Sequence, residues 1–175
     1  MYPFVRLAVD LWVFRKAKAL RPTEPHVTHH RIWPWDLDIF LELNNGRTLT
    51  LYDIARVVLA RRSGLWATLR TEGWGMTVAG ASVRYRRRLR VFEKVESRAR
   101  LVAWDARFLY LDQSMWIHGL CASQILVRIA VTDAQGIVPV DRVLDAMGYA
   151  GRKPQAPHWV AAWIAAEAQR PWPPE

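Results

Sequence analysis

The chain has 175 residues, 51% of them hydrophobic, and a formal net charge of +9; that length suits one domain with its own core and excludes a string of several. A lone cysteine, Cys121, excludes an internal disulfide, so packing must supply the stability, and a cytoplasmic location is the expectation. No apolar run reaches the ~18 residues of a membrane-spanning helix, because Arg6 and Asp10 break the first candidate and Arg56, Arg61 and Arg62 the second.

The first segment, residues 1–22, is rich in Phe, Leu, Val and Trp, and its basic residues Arg15, Lys16 and Lys18 follow the apolar stretch, the reverse of a secretory signal. Arg6 and Asp10 lie four apart on one helical face, while Phe4, Leu7, Leu11 and Phe14 share another. An amphipathic helix follows, docked on the body in the favoured reading and resting peripherally on a membrane surface in the other. The run Arg21-Pro22-Thr23-Glu24-Pro25 ends it, since each proline biases its predecessor away from helix.

The central domain is expected over residues 23–148. His26 to Trp33 reads as a strand, Pro34 to Asp38 as a loop, and the pair Asn44-Asn45 as a helix cap. From Arg47 to Arg62 apolar residues cover most of the circumference and leave Thr50, Asp53 and Arg56 as a narrow polar edge, the mark of a buried helix. Ser63-Gly64 ends or bends it, and Leu65 to Glu72 adds turns before Gly73. Trp74 to Val138 then reads as antiparallel strands. Val95, Ser97, Ala99 and Leu101 alternate with charged residues, as do Cys121, Ser123, Ile125, Val127, Ile129 and Val131 with Gln124, Arg128 and Thr132. Turns are expected at Trp104-Asp105-Ala106, His118-Gly119 and Asp133 to Gly136. A short helix capped by Asp141 runs to Met147, and an extension over residues 149–175 holds one more helix, His158 to Gln169. The class is α+β, with a long antiparallel sheet curled around one buried helix.

The segment Trp33-Pro34-Trp35-Asp36-Leu37-Asp38 followed by Asn44-Asn45-Gly46-Arg47 resembles the active-site loop of the hotdog-fold acyl-CoA thioesterase superfamily, and its wording is most similar to the thioesterase-superfamily-member-6-like group. The resemblance runs from about His26 to Met147. Members commonly carry Asp-x-Asp, then His-x-Asn-Asn leading into the central helix; here Glu42 stands at the histidine position, Leu41 at a glycine and Thr48 where tyrosine is frequent. The resemblance implies the hotdog fold, a homodimer or dimer of dimers, hydrolysis of acyl-CoA to acid and CoA, and no metal or other cofactor.

Thioester hydrolysis needs a carboxylate that attacks or activates water, and donors for the developing oxyanion. Asp38 is the candidate for the first role, with Glu42 and Asp36 as further carboxylates. Backbone N–H groups at Asn45, Gly46 and Arg47, at the positive end of the helix dipole, are candidates for the second, and Asn44 and Asn45 combine capping with substrate positioning. Asp36, Asp38 and Glu42 are equally types that shape loops. Arg84, Arg86 and Arg88 recur every second residue and suit either CoA phosphates or the outside of a strand. His26, His29 and His30 do not make a metal site, because neighbouring strand residues point to opposite faces. The alternative function is a non-catalytic acyl-CoA-binding or regulatory protein; a nucleic-acid module rests on charge alone, with no reading motif beside it.

Overall fold

The computed structural model describes residues 2–171, 173 and 174. An N-terminal helix α1 (Phe4–Val13) precedes strand β1 (His26–Arg31), a 3-10 turn (Pro34–Asp36) and the long helix α2 (Asn45–Arg62). After α3 (Leu65–Glu72) come β2 (Gly75–Tyr85), β3 (Lys94–Trp104), β4 (Leu109–Ile117), β5 (Leu120–Asp133) and the short β6 (Gly136–Ile137), then α4 (Val140–Ala146) and α5 (His158–Gln169). All pairs in the sheet are antiparallel, in the order β1-β3-β4-β5-β2, with β6 on β5. Among the described residues no helix is long and apolar enough to cross a membrane.

Helix α2 is buried as its composition requires. Leu51, Tyr52, Ile54, Ala55 and Val58 are fully enclosed, and they share one core with Ala99, Met115, Ile125, Val127 and Ile129 from the facing sheet, Val58 excepted. Even its polar edge is partly inside: buried Arg56 donates to Gln113 Oε1 at 2.8 Å and to Asp53 Oδ1 at 2.6 Å, which leaves the guanidinium compensated. The helix stops at Ser63, and Gly64 (φ +86°) and Gly73 (φ +68°) bracket α3 in left-handed conformations that glycine adopts without a Cβ penalty.

Strand alternation holds where the pleat is regular and fails at bulges. In β3 the buried set is Val95, Ser97, Ala99 and Leu101, but the register slips between Leu101 and Ala103, so residues 101–104 are all buried. There the outer face is covered too: Val102, Ala103, Tyr110 and Leu126 pack with Val160 of α5 in a second cluster. A slip between Met115 and Trp116 makes Ala122 an extra residue. Cys121, which alternation places inside, is therefore only half-buried and lines an outer-face hollow with Trp116 and Gln124. The helix expected from Asp141 starts one residue earlier, with Pro139 in the cap position.

Helix α1 docks through a face that carries Leu7, Leu11 and Phe14 together with both charged residues, Arg6 and Asp10. Asp10 is buried and accepts from Thr28 Oγ1 at 3.2 Å, with His30 Nε2 at 3.7 Å. Arg6 reaches the carbonyl of Arg31 and the carboxylate of Asp36. Leu7 joins the main core while Phe4 is 69% exposed, so the four apolar residues Phe4, Leu7, Leu11 and Phe14 do not act as one buried stripe.

Candidate functional site

The site forms where the loop after β1 enters α2. Leu37 and Leu43 make an antiparallel bridge, and the Asp38 N–H donates to the Glu42 carbonyl at 2.9 Å, which places Asp38 and Glu42 opposite each other at the neck of a tight turn. The turn is closed by the Leu41 N–H on the Asp38 carbonyl (3.1 Å) and by the Phe40 N–H on the Asp38 carboxylate (2.8 Å). Leu41 sits at φ +59°, a left-handed conformation. That conformation gives a physical reason for glycine at this position, and leucine there costs about 1 kcal/mol.

Asp36 is 1% exposed. Its carboxylate accepts the Trp33 N–H (2.9 Å) and pairs with Arg6 and with Arg47 Nε (3.2 Å), while its carbonyl accepts the Asn44 N–H at 2.9 Å. It therefore ties α1, the 3-10 turn and the first turn of α2 together. This is a structural hub, with no open side toward a ligand.

At the start of α2, Asn44 is the cap: its side chain accepts the Arg47 N–H at 3.2 Å and its carbonyl the Thr48 N–H at 2.8 Å. The Arg47 N–H, expected to face an oxyanion, is thus already engaged, because the cap residue satisfies the third amide of the helix. Among the described residues, the N–H groups of Asn45 and Gly46 donate to no acceptor, so the dipole's positive end is open there.

Beside Asn45 lies a cleft of about 190 Å³, whose wall also includes Glu42, Thr48, Ser123, Arg86 and Arg88. Glu42 is ion-paired with Arg88 Nε at 3.0 Å. The N–H groups of Arg86 and Arg87 both donate to the Ala122 carbonyl (2.8 and 3.1 Å), which breaks the pleat at the end of β2. Arg84, still in the strand, points instead to an outer-face hollow with Trp159 and Trp163, so the three alternate arginines do not share one face. Asp38 is half-buried and is not part of the cleft wall.

Ser123 was not singled out from the sequence. Its hydroxyl bonds the Tyr52 hydroxyl at 2.7 Å, and burial raises the Tyr52 phenol's pKa, which keeps that proton in place. The signal was present: Ser123 is the hydroxyl in an otherwise apolar inward row, and a polar residue at an inward position needs a partner or a ligand. Thr48 belongs to the cleft for a similar reason, one turn into α2, with its hydroxyl on the Asn44 carbonyl at 3.1 Å.

The geometry can be set beside known proteins. The protein THEM6 of Xenopus laevis is 33% identical over 138 residues, 76% of this chain and 64% of that protein. THEM6 of Danio rerio is 38% identical over 87 residues, 50% of this chain and 43% of that protein. The chain thus spans less than two thirds of the length of these two relatives. Among solved structures, a probable thioesterase of Escherichia coli superposes with a TM-score of 0.66 at 16% identity, covering 70% of this chain and 96% of that one. A DHNA-CoA thioesterase of Staphylococcus aureus superposes at 0.62 and 16% identity, over 82% and 91%. At such identities the likeness bears on architecture, and the architecture is the hotdog fold. A model of the thioesterase-like superfamily matches residues 32–164, and the chain belongs to that family.

Proposed function

We propose that this protein hydrolyses acyl-CoA thioesters in the cleft before α2. The observation that carries this reading is one hollow bringing together Glu42, Asn45 with its open N–H group, and the cationic wall of Arg86 and Arg88. Membership of a thioesterase-type family supports it. In this reading Glu42 takes a proton from water as the water oxygen attacks the thioester carbon. The oxyanion lies at the amides of Asn45 and Gly46. The tetrahedral adduct then expels sulfur, the C–S bond breaks, and the proton passes from Glu42 to the leaving thiolate, giving acid and CoA. Arg86 and Arg88 face the phosphates of CoA.

Asp38 is the second reading for the carboxylate, favoured by its place in the Asp-x-Asp motif and by its position across the turn from Glu42. The two separate by mutation. With a panel of acyl-CoA substrates assayed for thiol release, Glu42→Gln should lower kcat about a hundredfold, the scale of a positioned acid or base. Asp38→Asn should lower it less and loosen the turn. The reverse ranking moves the chemistry to Asp38, and no thiol release by the unaltered protein on any substrate leaves the chain a non-catalytic acyl-CoA binder.

The same reading includes a homodimer. Strand β2 is an edge of the sheet, eleven residues long, with Val78 50% exposed and its outer edge unpaired among the described residues. Such an edge is a template for a second copy, and the cleft at the end of β2 would lie beside that junction.

A further inference from the structure

Helix α1 presents an unusual division of its surface. Its two charged residues, Arg6 and Asp10, face inward onto Asp36 and Thr28. Phe4, Val5, Ala8, Val9, Trp12 and Val13 all face outward, with exposures of 69% at Phe4, 78% at Val5 and 63% at Trp12. Spaced i, i+1, i+4, i+5, i+8 and i+9, they form a continuous apolar strip along a helix ~15 Å long. Water is a poor neighbour for such a strip. The clamp that exposes it is specific, since turning the helix over would strand Arg6 and Asp10 in solvent and leave Asp36 short of a partner.

We infer that the outward face of α1 is a docking surface for an anionic lipid membrane. The choice of occupant rests on charge. The segment following the helix carries Arg15, Lys16, Lys18 and Arg21, all exposed, and the only acid in the first 23 residues is the buried Asp10. Arg15 folds back over the Trp12 ring, 4.0 Å from its centroid, and donates to the Trp12 carbonyl at 2.7 Å. An apolar strip with an indole at its edge and a basic margin matches the interface of a bilayer, with side chains in the acyl boundary and cations among the headgroups. A second copy packed through the same face would bring the same cations, with the one acid of that segment, Asp10, buried. The inference is independent of the thioester reading, because none of these residues lines the cleft.

Flotation with vesicles tests it. The full chain should bind vesicles of equal parts phosphatidylserine and phosphatidylcholine at least about tenfold better than phosphatidylcholine alone, and high salt should erase the preference. Val9→Glu combined with Trp12→Glu should lower binding about tenfold while the melting temperature holds, since both side chains already face solvent. Lys16→Ala with Lys18→Ala should reduce only the preference for phosphatidylserine. Absence of binding to either vesicle, or binding unchanged by the double glutamate variant, overturns the inference. So does a drop in particle mass by light scattering in that variant with vesicle binding unaltered, which would assign the strip to a second copy.

Discussion

Replacing Asp36 should do more damage than replacing either of the carboxylates beside the cleft, and the damage should appear first in stability. The side chain is enclosed, accepts one backbone N–H and faces two guanidinium groups whose own side chains are 15% (Arg6) and 21% (Arg47) exposed. Removing one partner from a buried ion pair costs ~3–5 kcal/mol. Partial solvation of the two arginines discounts this to about 2–4 kcal/mol for Asp36→Asn, which keeps an acceptor for the Trp33 N–H, with Asp36→Ala at the top of that range. For a domain of this size each kcal/mol moves the midpoint by ~2–4 °C, so thermal unfolding followed by circular dichroism should show a fall of about 4–16 °C. Arg6→Ala should lose only the α1 clamp, with a smaller shift and early proteolytic nicking near residues 14–20. A melting temperature for Asp36→Asn within about 2 °C of the unaltered protein would refute the assignment of Asp36 as the hub.

Three further outcomes follow from the same geometry. Arg86→Ala and Arg88→Ala should raise KM for acyl-CoA severalfold with little change in kcat, while Arg84→Ala on the outer face should leave KM alone; an equal effect of all three would contradict the division that the β2 terminus imposes. Burial lowers both His26 and His30 to about 4, and burial raises Asp10 to about 6. Between pH 6.5 and 4 the unfolded chain takes up two histidine protons that the folded one refuses, whereas folded Asp10 takes its proton earlier than the unfolded carboxyl. The net is about one histidine's worth, so stability should fall by at most ~3 kcal/mol over that window, and His26→Asn should remove most of the slope in chemical-denaturation curves taken across it. Finally, Val78→Lys on the β2 edge should turn a dimer into a monomer in sedimentation experiments at micromolar concentration, by setting like charges against each other; an unchanged mass would place the junction elsewhere.

Much of this protein was legible in its sequence because local physics sets it. Asn44 caps α2, the apolar circumference of that helix buries it, glycines 64 and 73 bracket α3, and α5 spans His158–Gln169 as its pattern indicates. The Asp-x-Asp and Asn-Asn spacing located the loop that borders the cleft. Which side chain in that loop faces the cleft was decided only by long-range contacts. Asp36 turns inward because Arg6 arrives from a helix thirty residues earlier, Glu42 meets the cleft because Arg88 comes from beyond β2, and Arg47's amide is consumed by its own cap. The bulges that turn Cys121 outward and part Arg84 from Arg86 are likewise products of pairing with β4 and β5, since a strand's period of two carries no record of where its partner inserts a residue. Helix α1 makes the same point about amphipathicity: periodicity shows that two faces differ, while the partners available in the fold determine which of them is buried. Here two buried polar groups, Thr28 and Asp36, draw Arg6 and Asp10 in beside Leu7, Leu11 and Phe14 and leave Phe4, Val5, Val9, Trp12 and Val13 outside.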